Sequence, residues 1–215
     1  MTKLAVFDCD GTLVDGQASI CDTMEQAFAA LGAPAPARND IRRIVGLSLP
    51  VAIRHLAPDL DEDDIPRLVA AYKEAFFARR QEGAVHEPLY PGMGELLGKL
   101  HGDGWQLAVA TGKSDRGLKA VLATHGLSDL FVSLQTADGH PSKPHPAMLE
   151  AALFEAGAEP SQAVMIGDTS FDMEMAVAAN VRAVGVEWGY HTSTELREAG
   201  AHDVARDMQH LEDLL

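Results

Sequence analysis

Three short apolar runs, residues 3–7, 106–110 and 163–166, each break directly into polar residues, and helical spacing fills much of the chain between the last two. Runs this short, with no turn former inside them, read as strands buried on both faces. Residues 131–134 read as a weaker strand and residues 183–186 as the last one. Helices are expected near residues 94–101, from a cap at Ser114 to about residue 125, over residues 146–156, and from a cap at Thr169 or Ser170 through residue 179. The loop Trp188-Gly189-Tyr190 and a short helical tail follow. Strands alternating with helices imply a parallel sheet covered on both faces. The expected fold class is α/β, a doubly wound parallel-sheet, Rossmann-like core.

One stretch departs from that alternation. Residues 19–31, 41–45, 51–56 and 64–80 all carry helical periodicity, and no strand-like run lies among them. We read residues 16–88 as an inserted, all-helical domain, closed by Pro88-Leu89-Tyr90-Pro91, with residues 1–15 and 89–215 forming the core. A chain of 215 residues, 47% of them hydrophobic, can supply both a main core and a smaller inserted one.

The charge balance excludes some partners. Seventeen Lys and Arg face 32 Asp and Glu, a formal charge of -15, which disfavours nucleic-acid phosphates and anionic membrane surfaces. No basic-then-apolar leader and no apolar run near ~18 residues is visible, so a soluble, cytoplasmic protein is expected. Cys9 and Cys21 lack metal or redox spacing and are expected to be reduced, with Cys9 packed away from Asp8.

Polar residues fall where the strands stop. Asp8 and Asp10 follow the first strand, Thr111 and Gly112 the second, and Gly167-Asp168 the third. In an open parallel sheet these ends share one edge, where ligands bind. Asp172, in the first turn of the next helix, and Lys143, from Ser142-Lys143-Pro144, are expected at the same crevice. Two carboxylates about 4 Å apart repel by roughly 4 kcal/mol at an effective dielectric near 20, so a cation or a shifted proton is required. An oxygen-only donor set suits a hard cation, and Mg²⁺ in particular. Asp8 is the candidate nucleophile, able to form an acyl phosphate. Asp10 is the candidate acid that protonates a leaving oxygen and later takes a proton from water. Lys143 would counter charge on a phosphoryl group, and Thr111 with Gly112 would bind it.

The arrangement resembles the haloacid dehalogenase superfamily of phosphotransferases over nearly the whole chain. Its motif D-x-D-G-T-[LV] matches residues 8–13, its Ser or Thr after the second core strand matches Thr111, its lysine matches Lys143, and G-D-x-x-x-D matches residues 167–172. The resemblance implies a phosphomonoester hydrolase working through phospho-Asp8. It also implies Mg²⁺ held by Asp8, the backbone carbonyl of Asp10 and Asp168, with Asp172 orienting the site from behind and the helical insert acting as a cap over it. Asp10 argues against the dehalogenases proper and the phosphonate hydrolases, which lack an acid there; the latter also use a cap lysine, where this chain offers Lys73. A sugar phosphomutase is the alternative enzyme. Such mutases carry Arg after a Gly-x-Ser in the cap, where Gly46-Leu47-Ser48 is followed here by Leu49, so Arg43 or Arg54 would have to bind the second phosphate. Residues 185–190 are similar to a stretch of phosphoglycolate phosphatases, which points to a small phosphorylated metabolite, phosphoglycolate among the candidates. An alternative of another class is a phospho-ligand-binding regulatory module without turnover. A monomer or a homodimer is expected.

Competing signals are weaker. Gly112-Lys113-Ser114 imitates the end of a P-loop, but Leu107 stands where that loop needs glycine, so no nucleotide cradle is expected there. The nine histidines lack zinc spacing, and His140 and His145 are expected to be loop residues. Arg42, Arg43 and Arg54 read first as a solvated helix face, with substrate binding by Arg43 and Arg54 as the sharper expectation.

Overall fold

The computed structural model describes residues 3–215; residues 1 and 2, which the expected core segment 1–15 includes, lie outside the described residues. The element order is β1 (Lys3–Phe7), α1 (Gln17–Ala30), α2 (Arg38–Arg43), α3 (Leu49–Leu56), α4 (Asp64–Gln81), α5 (Met93–Gly102), β2 (Trp105–Thr111), α6 (Asp115–Thr124), β3 (Phe131–Thr136), α7 (Ala147–Ala156), β4 (Ala163–Gly167), α8 (Ser170–Ala178), β5 (Arg182–Val186), α9 (Ser193–Glu198), β6 (Asp203–Ala205) and α10 (Met208–Leu214). The strands form one six-stranded sheet in the order β3-β2-β1-β4-β5-β6, with every pairing parallel. The α/β, doubly wound, Rossmann-like expectation therefore holds. Strand order reverses between β1 and β4, so a crevice opens beyond their carboxyl ends. Asp8 follows β1 there, and its N–H donates to Ile166 O across the junction at 2.9 Å.

Side-chain alternation along β1 builds both faces of the sheet. Ala5, Phe7 and Cys9 point into a core completed by Leu97 of α5 and Leu118 of α6. Leu4 and Val6 point the other way, toward Leu149 of α7 and Met173 of α8. Apolar residues on successive positions are thus both buried, which is why the strands read as continuous apolar runs rather than as alternating ones. Cys9 and Cys21 are free and buried.

Helices α1 to α4 gather a separate core, in which Ile20, Met24 and Phe28 of α1 meet Ile41, Ile53 and Leu68. The two chain segments joining these helices to the sheet run side by side. Asp15 N donates to Pro88 O at 2.9 Å and Tyr90 N to Leu13 O at 3.1 Å. From the sheet side, the Tyr190 ring packs against the helical core.

One element was not expected from the sequence. The edge strand β6 pairs with β5 through only three residues, one of them Asp203, too short a run for a period to register. Among the described residues no helix is long and apolar enough to cross a membrane.

Candidate active site

The crevice gathers residues from four separate segments. Asp8, Asp168 and Asp172 are buried, and one carboxylate oxygen from each lies within 4.8 Å of the others. Local structure fixes each carboxylate. Thr12 Oγ1 donates to Asp168 Oδ1 at 2.8 Å and the Tyr190 N–H donates to Oδ2 at 3.0 Å. Asp172 is held by the turn that starts α8, its Oδ2 accepting from Thr169 N at 3.1 Å and Thr169 Oγ1 at 2.7 Å. Close approach requires two glycines: a Cβ on Gly11, whose φ is +91°, or on Gly189 would land on the Asp168 carboxylate.

Lys143 is fully buried and lies between two acids, 2.6 Å from Asp172 Oδ1 and 2.9 Å from Asp8 Oδ1. Burial opposes its charge, and Asp172 and Asp8 more than offset that, so the ammonium titrates above its ordinary range. Asp8 Oδ2 makes no hydrogen bond among the described residues. Burial raises the Asp8 pKa, the nearby Lys143 charge works against the rise, and Asp172 adds to it. Asp168 is pushed well above the carboxylate range, first by burial and then by Asp8 and Asp172.

Asp10 belongs to a second network. Lys113 Nζ lies 2.8 Å from both of its oxygens and 2.9 Å from Glu87 Oε1, and Arg80 donates to Glu87 Oε2 at 2.6 Å. The chain of charges runs from the end of β1, through the loop after β2, to the segment that leaves the helical region and the end of α4. Burial raises the Asp10 pKa and Lys113 pulls it back. Lys113 itself titrates well above the lysine range, because Asp10 and Glu87 outweigh its burial.

Sequence reasoning assigned Lys113 no role, since it judged Gly112-Lys113-Ser114 only as a failed P-loop. The signal available was charge. Four clustered acids with Lys143 alone could not be buried together, so a further cation had to come from somewhere. Counted as fully ionised, the buried carboxylates Asp8, Asp10, Asp168, Asp172 and Glu87 exceed Lys143, Lys113 and Arg80 by two formal charges. The three-carboxylate cluster and this deficit both fit one hard divalent cation.

Thr111 ends β2 with its hydroxyl accepting from Lys113 N at 3.3 Å. Gly112 lies against the helical region, where a Cβ would meet the Gly46 carbonyl and come within 2.6 Å of the Leu47 carbonyl oxygen. Nearby, Ser48 N donates to Ser142 Oγ at 2.9 Å. Both obstacles at Gly112 are backbone, so neither can swing aside. Gly112→Ala is expected to lower unfolding stability by about 1–3 kcal/mol through overpacking; an unchanged urea midpoint would show that the two layers do not press together here.

Above Asp10, Thr111 and Gly112 lies a cavity of about 300 Å³ between the sheet edge and the helices. Arg43 and Arg54 are absent from its lining. Arg43 instead pairs bidentately with Glu195, at 2.5 and 2.8 Å, and Arg54 with Glu62 at 2.9 Å. His140 bonds Gln135 at 2.7 Å, and His145 Nδ1 accepts from Ala147 N at 3.2 Å.

Comparison with known proteins agrees with this geometry. Residues 5–186 match the family model described as haloacid dehalogenase-like hydrolase. A probable phosphatase of Dickeya dadantii, IndB, is 37% identical over 204 residues, covering 93% of this chain and 87% of that protein. The phosphoglycolate phosphatase of Pseudomonas syringae pv. syringae is 32% identical over 215 residues, 98% of this chain and 79% of the relative. In fold, the chain is similar to the crystal structure of a predicted phosphatase from Clostridium acetobutylicum, with a TM-score of 0.89 at 24% identity, covering 100% and 98% of the two chains.

Proposed function

The chain belongs to the haloacid dehalogenase-like hydrolases and is a phosphatase of that superfamily, and we propose that it is a Mg²⁺-dependent phosphomonoesterase for a small phosphorylated metabolite, acting through phospho-Asp8. The observation that carries this reading is the Asp8 Oδ2 atom, buried without a hydrogen-bond partner at the switch point of the sheet, beside Lys143 and two further acids. A carboxylate oxygen left free in such a place is available to attack.

In the first displacement Asp8 Oδ2 bonds to phosphorus and the bond from phosphorus to the ester oxygen breaks, the alkoxide taking its proton from Asp10. In the second, water bonds to phosphorus, the acyl-phosphate bond breaks, and Asp10 takes the water proton, which returns both carboxyls to their starting states. Asp10 can serve both ways because burial favours its protonated form while Lys113 favours the ionised one. Lys143 meets the phosphoryl charge from its place between Asp8 and Asp172, and Thr111 offers a hydroxyl on the other strand end. Asp172 positions Lys143 and contributes no chemistry of its own. Mg²⁺ would be held by Asp8, the backbone carbonyl of Asp10 and Asp168, and would supply positive charge against the phosphoryl oxygens.

A mutase would need a cation on the helices for a second phosphate. Arg43 and Arg54 are engaged elsewhere, Leu49 lines the cavity, and the two cations of α4 that reach it, Lys73 and Arg80, lie beside Asp138 and Glu87. The test of the main reading is release of phosphate from a generic aryl phosphate, which chelation of the metal should stop.

Metal binding has a second readout. At free Mg²⁺ near 100 times its Kd the folded state gains about 2.7 kcal/mol, which in a chain of this size raises Tm by roughly 5–10 °C. Asp168→Asn should lose that rise. Without metal, the raised Asp8 and Asp168 pKa values mean the folded state binds more protons than the unfolded one above their ordinary value of 3.8. Metal-free stability therefore falls as pH climbs from there toward the raised folded values, and Mg²⁺ should flatten the fall. A Tm indifferent to Mg²⁺ from pH 5 to 8 would count against the site.

A further inference from the structure

We infer that the leaving group of the substrate is apolar, of the size of a short alkyl chain or a single ring, and not a small carboxylate. This rests on the phosphomonoesterase reading and specifies its substrate class. Asp10, the acid for the ester oxygen, lines the cavity of about 300 Å³ described above, so the group released from that oxygen must occupy it. That volume lies at the small end of ligand pockets.

The walls are chiefly aliphatic and aromatic, with Met24 from α1, Val45 and Leu49 from the segment around α3, and Tyr72, Phe76 and Phe77 from α4. Four cations also reach the lining, and three of them already have a carboxylate partner. Lys113 is closed off by Asp10 and Glu87, its side chain only 8% exposed. Arg80 pairs with Glu87 at 2.6 Å, the Arg116 guanidinium stacks 4.5 Å from the Phe77 ring centre, and Lys73 sits 3.9 Å from Asp138. A leaving-group carboxylate would thus lose its water in an apolar chamber where, among the described residues, the one cation without a carboxylate partner is Arg116, already stacked on Phe77. An apolar group loses nothing there and removes its own surface from water.

The experiment pairs turnover with binding, using the full chain with Mg²⁺. Ethyl, butyl and hexyl phosphates have leaving alcohols of nearly equal acidity, so differences among them report the cavity rather than the chemistry. We expect kcat/KM to rise about fourfold per methylene until the chamber fills, and hexyl phosphate to exceed 2-phosphoglycolate by at least about 100-fold. The unhydrolysable n-alkylphosphonates should show the same slope in Kd by titration calorimetry. Phe76→Ala should cut the hexyl-to-ethyl ratio about tenfold, a change that simple loss of folded protein cannot produce. Flat series with 2-phosphoglycolate preferred would overturn the inference and leave the phosphomonoesterase reading intact. A rising phosphonate series without turnover of any ester would do the reverse.

Discussion

Asp8→Asn is expected to lower phosphate release by a factor on the order of 10⁴ or more, because in the proposed mechanism it removes the nucleophile and the covalent route and leaves only binding and charge stabilisation. The substitution is close to isosteric and keeps the space at the end of β1 filled, so the loss cannot be assigned to a cavity. It also takes one negative charge out of a buried cluster in which Asp8, Asp168 and Asp172 stand within reach of a single ion. Lys143 keeps its 2.6 Å partner Asp172. Metal-free Asp8→Asn should therefore melt no lower than the parent protein, which separates a chemical defect from a folding one. The pair of measurements is phosphate release from an aryl phosphate and a thermal melt in chelator. A variant that retains activity within tenfold of the parent would remove Asp8 from the mechanism, whatever its Tm.

What could be read from the sequence, and what could not, follows from how far apart the cooperating residues lie. The buried strands announce themselves by apolar runs, and Asp8, Thr111 and Asp168 are legible because each lies within two residues of the end of such a run. A parallel sheet then places them together without further information. Lys113, Glu87 and Arg80 are different. Their network closes only when the end of α4 and the segment leaving the helices fold back beside the loop after β2, and no spacing encodes that docking. Arg43 shows the same limit in reverse: a cation on the helical region suggests a phosphate site, yet Glu195, 152 residues away, reaches it first. Tyr190 sits in a loop whose sequence caught attention, but its two jobs, an N–H on Asp168 and a ring against the helical core, depend on tertiary placement. Charge conservation in a buried site was the one sequence-level clue to Lys113, and it required knowing which acids would be buried.

Lys113→Met should destabilise the folded protein by about 3–5 kcal/mol, the range for breaking a buried ion pair from one side. The methionine replaces the stem of the lysine but leaves Asp10 and Glu87 facing each other without the ammonium that lies 2.8 to 2.9 Å from both. Arg80 remains on Glu87, so Asp10 bears most of the loss. The pH dependence has a definite sign. Lys113 has a folded pKa raised above its ordinary 10.5, so its contribution is complete at lower pH and disappears only as pH rises through that higher value; the destabilisation should be fully visible at pH 7. Glu87 is held below its ordinary 4.5, with Lys113 the main cause opposing its burial, so it now stabilises the fold above that value and gives this up as pH falls through its folded pKa. Without Lys113 that advantage shrinks, and the variant should gain less stability than the parent between pH 3 and pH 6. In kinetics, the group that Lys113 keeps from protonating is Asp10, so the limb of the kcat/KM profile that follows Asp10 should move to higher pH. A merely structural lysine would lower Tm and leave the profile where it was. A variant as stable as the parent with an unmoved profile would mean that Asp10 takes its protonation state from burial alone, and that the link from this proposed acid through Glu87 to the helices has no energetic content.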